Sequence, residues 1–496
     1  MATLLQAGAG LALLVGVGHC TLSILALNRG RNPGEVLALD LLVGSGMASL
    51  VVLWLSLAGV PQALAWAVEL GALSCLAWCV AALWHHRGRP LGLPAPTKLP
   101  QPPRSAAGWA KLALAACLLA MVAAMAHTTL ASGLGWDGLA IWGLKAKAVY
   151  SEGGVNLALF HDLSRQWSHL NYPLLLPTVE AWLYWSLGGV NEEQVKVVFV
   201  AYQLSLLTLF YSAIRRQHAG WYALVWTLVL ASLPALLRNG STGYADLPLS
   251  TLVFAASAYL YLWIEEGKLA DLSLAGLLAA LAPWMKREGL LFWVVALGAV
   301  VLCSGPRYSL ALRERLRAGL RFALPATLVA PWLVFAVALR LPDNDFALSV
   351  GTLLANLPRL PALARLLLEQ LISVRSWGVL WQLVALAALW RPRQAPAGER
   401  YLLAAPAAYL LPLTASYVFS TWGSYTAHVA ASLERLVLHV CPTAVLFLAL
   451  RASHWSPWVY QLSLASDDRE AALAREAPSC GIGKHDAVWP LGRRSA

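Results

Sequence analysis

The residues able to do chemistry fall in short clusters, each at the end of a long apolar run. Asp137 stands in GWDGLAIWGLKAKAVY (135–150), just beyond the run 108–131. Leu139, Trp142, Ala146 and Val149 recur there at helical spacing, so the spacing predicts an amphipathic helix lying on a membrane. A carboxylate in its first turn meets free N–H groups and the helix dipole, and at a water–lipid boundary it can serve as a general base or simply start the helix. His169, Asn171 and Tyr172 precede a proline in HDLSRQWSHLNYPLLLP (161–177), where they could hold a polar substrate or order a loop. Asp246 closes the Gly-rich segment RNGSTGYADLP (238–248). Its glycines allow close backbone approach to a ligand, while Pro248 equally suits a helix start. Lys286, Arg287 and Glu288 interrupt a stretch otherwise apolar from 272 to 304. Charges beside lipid are costly and usually have partners or a task. Lys and Arg there suit a phosphate, Arg gripping two oxygens at once, or they form a tight turn that reaches water. Arg435 and His439, four apart, share one helix face. Arg435 could reach an anion or snorkel beside Glu434.

Composition dictates which elements carry these clusters. Of 496 residues, 59% are hydrophobic and 12% charged, against about 25% charged in a soluble domain. That excludes a soluble globular protein, a disordered chain and a disulfide scaffold. The expected fold is all-α, a polytopic transmembrane helical bundle of about 13 spans, each near the roughly 20 residues a bilayer requires. The runs are 3–27, 36–58, 62–84, 108–131, 195–214, 219–236, 246–264, 270–284, 289–304, 318–339, 376–391, 401–419 and 433–451. The segment 173–189 has two Pro and a Glu, and reads as a helix lying at the outer surface with its Trp and Tyr at the lipid boundary.

With the N-terminus outside, most of the 36 Lys and Arg fall in inside segments, the bias that orients membrane proteins. All the polar clusters then lie outside. The first apolar stretch lacks a basic leader and reads as a membrane helix rather than a cleaved signal. Four regions follow: three plain N-terminal helices with few polar side chains (1–84), a Pro-rich basic inside linker (85–107), a larger bundle (108–451) with outer loops at 132–194 and 340–375, and a polar inside tail (452–496). The seven Cys show no metal-ligand spacing and read as packing residues. The net charge of +11 belongs to loops that set orientation, with no nucleic-acid partner expected. Part of the excess in the 23 Trp is expected to anchor the helices at the boundary.

At these residues the chain resembles the GT-C superfamily of membrane glycosyltransferases, with a closer likeness to bacterial relatives of the protein O-mannosyltransferases and of the lipid A aminoarabinose transferase. The matching pieces, over about 108–451, are Trp136-Asp137 with Lys145 and Lys147; Tyr172-Pro173 and the helix after it; the Asp246 loop; Lys286-Arg287-Glu288-Gly289; and Ser432-Leu433-Glu434-Arg435. Asn171 stands where similar chains carry an acidic residue. The resemblance implies a GT-C-type bundle with outer juxtamembrane helices in a bacterial cytoplasmic (inner) membrane, its site facing the periplasm or exterior. It implies transfer of a sugar, with inversion, from a polyprenyl-phosphate donor to a glycan, lipid or protein acceptor. Asp137 and Asp246 are the expected catalytic carboxylates, Asp137 as base. Lys145, His169, Tyr172, Lys286, Arg287, Glu288 and Arg435 are the expected substrate-binding residues, with Lys286 and Arg287 on the lipid phosphate, where positioned cations stabilise the leaving group. No cofactor is expected; a divalent ion between Asp137 and Asp246 is the alternative to cations alone. The competing reading is a transporter or flippase for a lipid-linked or small polar substrate, which should place polar groups and broken helices at the bilayer midplane.

Overall fold

The computed structural model describes residues 2–85, 106–302, 312–341, 343 and 345–455. The linker expected over 85–107 and the tail expected over 452–496 lie almost wholly outside the described residues. Helices α1 (Ala2–Ile24), α2 (Pro33–Leu57), α3 (Ala63–His85) and α4 (Ala106–Ala131) come first. The short α5 (Leu144–Ser151), α6 (Leu157–His161) and α7 (Leu175–Leu187) occupy the first long loop. Then follow α8 (Val197–Arg215), α9 (Gly220–Ala231), α10 (Pro234–Gly240), α11 (Asp246–Glu266), α12 (Leu269–Met285), α13 (Glu288–Leu302), α14 (Leu312–Ala323) and α15 (Ala330–Ala338). The second long loop carries α16 (Val350–Asn356), α17 (Leu360–Leu371) and α18 (Val374–Trp377), and the chain closes with α19 (Leu380–Leu389), α20 (Ala397–Ala415) and α21 (Tyr425–Trp455).

Eight helices are long and apolar enough to cross a membrane, or ten if the bent pairs α9–α10 (64°) and α14–α15 (58°) each count as one span; α12, α13 and α19 are apolar but shorter. The protein is a multi-pass helical membrane protein. Helix α11 is apolar on all sides, the pattern of a helix enclosed by others, and it is buried from Asp246 to Ile264. It packs against α8, α12, α20 and α21, so the residue at its first turn is carried into the middle of the bundle.

Two expectations about the N-terminal part are corrected. Helices α1–α3 were expected to be plain, yet α2 is built into the core. Buried Glu35 accepts hydrogen bonds from Arg31 at 3.0 Å, Arg216 at 2.5 Å and the Tyr259 hydroxyl at 2.6 Å, and Arg31 also reaches Asp271 at 2.7 Å. Trp284 Nε1 donates to Ser49 at 2.6 Å. These bonds tie α2 to α8, α11 and α12. Small residues bring α1 against α2: a Cβ on Gly18 or Gly44 would sit 1.8 Å from the carbonyl oxygen of Asp40 or Leu14 across the interface.

The second correction is α7. At 13 residues it is too short to span a bilayer, as expected. Two of its three aromatics are nevertheless away from any lipid boundary: Trp182 and Tyr184 are fully enclosed, because α1, α2 and α5 cover them, while Trp185 is exposed. Trp182 Nε1 donates to the Gly10 carbonyl at 3.2 Å. Glu180 on this helix is 1% exposed, and neither of its carboxyl oxygens has a partner among the described residues. Burial pushes that carboxyl well above the ordinary carboxylate range.

Candidate functional site

The residues of these clusters meet at one end of α11. Asp246 opens this helix and is 1% exposed. A buried carboxylate demands partners, and three converge on it: Lys286 Nζ at 2.7 Å, His439 Nε2 at 2.8 Å and Arg435 Nη1 at 3.5 Å. With His439 Nε2 donating to Asp246, its Nδ1 can accept from the Tyr409 hydroxyl at 2.9 Å. Arg435 also forms an ion pair with Asp137 and packs over the Tyr244 ring at 5.0 Å. Asp137, Asp246, Lys286 and Arg435 thus form one chain of alternating charge, drawn from four stretches of sequence.

Local sequence explains how each is held. Asp137 lies in the first turn of a helix that begins at Trp136, and residues Gly138–Gly143 continue it as a π-helical turn before α5. Such turns widen the helix and often mark functional sites. Ile141, Trp142, Ala146 and Val149 are buried as the amphipathic pattern requires, whereas Leu139 is exposed. Lys286 and Arg287 form the turn between α12 and α13. Gly289 is needed beneath them, since a Cβ there would lie 2.2 Å from the backbone of Ala282. Arg435 and His439 project from the same face of α21, as their spacing predicts.

The cations differ in what occupies them. Lys286 is 5% exposed and engages Glu288 at 3.0 Å as well as Asp246. It is a support for the carboxylates rather than an open phosphate ligand, which corrects its expected place in the clamp. Arg287, its neighbour, points outward with its side chain 39% exposed and pairs with Asp343 at 2.7 Å. Arg435 is nearly enclosed, and its Nε is a buried donor without an acceptor among the described residues. Its guanidinium sits between Asp137 and Asp246. Glu434 turns away from Arg435 and accepts from Arg238 at 2.7 Å, Asn239 at 3.0 Å and Ser376 at 2.6 Å, clamping α10, α18 and α21 at the rim.

The second cluster forms a wall beside this centre. Tyr172 stacks on His169 at 4.7 Å and on Trp142 at 5.5 Å. His169 approaches Asp345 at 3.4 Å. Burial pulls its imidazole below the ordinary value, and Asp345 opposes that shift. Lys145, expected to touch substrate, is fully buried and donates to the Ser168 carbonyl at 2.6 Å. It supports the His169 loop from behind. Burial pulls its ammonium down to about 7.

Asp343 and Asp345 were not among the expected residues. They lie in the long loop 340–375, in a segment without periodicity. Two acids in LPDNDF are the one signal that could have marked them. Asp345 accepts the Trp422 indole N–H at 3.0 Å, and Trp422 stacks on His428 at 4.5 Å. Away from the charges, α4 and α9 border an open apolar groove of about 690 Å³ lined by Leu114, Cys117, Met121, Val225, Leu228 and Val229. No protein-family description, curated protein or solved structure matches the chain.

Proposed function

We propose that the protein is a GT-C-type membrane glycosyltransferase that moves a sugar from a polyprenyl-phosphate donor to a hydroxyl acceptor at the outer face of the bacterial cytoplasmic membrane. The observation that carries this reading is the meeting of Asp137, Asp246, Lys286 and Arg435 in one charged centre at the end of a lipid-embedded bundle. A transporter would need its polar groups near mid-membrane; the cluster around Asp246 instead gathers at the first turn of α11.

In this reading Asp137, whose side chain is 21% exposed, accepts the proton of the acceptor hydroxyl. The acceptor oxygen attacks the anomeric carbon from the face opposite the phosphate. The carbon–oxygen bond to phosphate breaks, the bonding pair leaves with polyprenyl phosphate, and the sugar inverts. Arg287, with Arg435 behind it, stabilises the charge that grows on the leaving phosphate. Asp246, Lys286 and His439 fix Arg435 and hence Asp137. The groove between α4 and α9 receives the isoprenoid tail, since α4 leads outward to Asp137 and α9 leads through α10 to Asp246.

The test supplies purified protein with a panel of polyprenyl-phosphate sugars and follows donor consumption by mass spectrometry. Consumption of one donor, abolished by Asp137→Asn in a protein that still inserts and elutes normally, is expected. A panel left intact by the parent, or an Asp137→Asn protein as active as the parent, overturns the assignment.

A further inference from the structure

The site holds three cations, Lys286, Arg287 and Arg435, and their partners differ in kind. Lys286 is enclosed between two carboxylates, those of Asp246 and Glu288. Arg435 is enclosed between two more, those of Asp137 and Asp246. Arg287 alone of these three is exposed, and the carboxylate on it, Asp343, comes from an outer loop rather than from the bundle. Releasing Lys286 or Arg435 would strand buried charge, which is strongly unfavourable. Releasing Arg287 from Asp343 breaks a partly exposed pair, which solvent largely compensates.

The two oxygens of Asp343 also divide their work. Oδ2 holds Arg287 at 2.7 Å. Oδ1 receives the backbone N–H groups of Asp345 at 3.1 Å and Phe346 at 3.3 Å. The turn is therefore maintained by one oxygen and the cation by the other, so the second can be given up without unmaking the loop.

We infer that Asp343 is an affinity-setting residue of the donor site, an internal carboxylate that occupies Arg287 in place of the lipid phosphate and must yield it when the donor binds. This rests on the proposed function, because it takes the ligand of Arg287 to be a lipid phosphate. An anionic side chain and a phosphate oxygen compete for the same guanidinium, and the side chain is always present at high local concentration. Removing its charge while keeping its turn-holding oxygen should tighten lipid-phosphate binding.

The experiment uses the full chain in detergent or nanodiscs, with farnesyl phosphate as probe and farnesol as the uncharged control. Asp343→Asn keeps an oxygen for the two N–H groups and removes the charge. It is expected to bind farnesyl phosphate up to about fivefold more tightly than the parent, the scale set by a partly exposed ion pair, with farnesol unchanged. In an Arg287→Met background the same substitution is expected to bring no gain. Asp343→Ser, which also offers an oxygen to the turn, serves if the Asn protein folds poorly. Binding that needs Arg287 but is not tightened by either Asp343 variant overturns this inference and leaves the glycosyltransferase reading intact. Farnesyl phosphate bound no better than farnesol by parent and variants alike overturns both.

Discussion

The two carboxylates that share Arg435 have different jobs, and one pair of substitutions separates them. Asp246→Asn removes charge from a position that is 1% exposed, leaving Lys286 with Glu288 alone and Arg435 with Asp137 alone. Breaking a buried ion pair by deleting one partner costs roughly 3–5 kcal/mol. Against a folded-state margin of about 5–15 kcal/mol, that is a large share. Asp137→Asn removes a partly exposed carboxylate whose loss leaves Arg435 still paired to Asp246, so about 1 kcal/mol or less is expected. Thermal unfolding of the detergent-solubilised proteins, read by tryptophan fluorescence, should show a marked drop for Asp246→Asn and a curve near the parent's for Asp137→Asn. Donor turnover should be lost in both. Replacing Lys286 by Met in the Asp246→Asn protein removes the cation that lost Asp246 but takes the partner from Glu288, so stability should stay below the parent's and turnover should stay lost. An Asp246→Asn protein that melts with the parent would refute the scaffold role and the reasoning from burial behind it.

Two buried ionisable groups give opposite pH slopes. Lys145 is depressed to about 7, so between that value and its ordinary 10.5 the unfolded chain holds the extra proton. Stability from this group is full above 10.5 and is lost as pH falls to 7, by up to about 1.4 kcal/mol per unit. Lys145→Met should remove that slope in melts from pH 7 to 9, and an unchanged slope would mean the amine reaches water. Glu180 is raised instead, so its contribution is full below the ordinary carboxylate value of 4.5 and is lost as pH rises through its folded value. Glu180→Gln should melt like the parent at mildly acidic pH and resist alkali better; equal alkaline sensitivity would show that Glu180 is already charged. Gly289→Ala should lower the melting point strongly, because its Cβ would meet the Ala282 backbone at 2.2 Å; a neutral result would require the turn to shift without consequence.

The apolar runs made the helices legible in the sequence, because burial in lipid leaves a signal in every residue of a span. Asp137, Asp246, Lys286 and Arg435 were legible as interruptions of that signal. The direction in which a side chain points was not. Lys145 and Lys147 lie two residues apart on α5, yet Lys145 is enclosed while Lys147 pairs with Glu192 at the surface. Helix α7 looked like a surface helix because its length and prolines forbid a span, and nothing local reveals that α1 and α2 cover it. Asp343 was missed for a related reason: a carboxylate in an irregular loop has no periodicity to disturb. The pairing of α2 with α8, α11 and α12 depends on partners far along the chain, which spacing cannot reveal.

That last pairing constrains the order of biogenesis. Arg31 and Asp271 are separated by 240 positions, and Arg216 lies 181 from Glu35. When the first helices leave the insertion machinery, Arg31 and Glu35 have each other but not their later partners, which have yet to be synthesised. An ion pair left incomplete beside lipid is poorly tolerated, so α2 has reason to remain near the translocon, or near its water, until α12 emerges. Assembly would then finish by closing later helices onto a waiting N-terminal hairpin, and a ribosome stalled before residue 271 should yield a nascent chain whose first helices are still extractable.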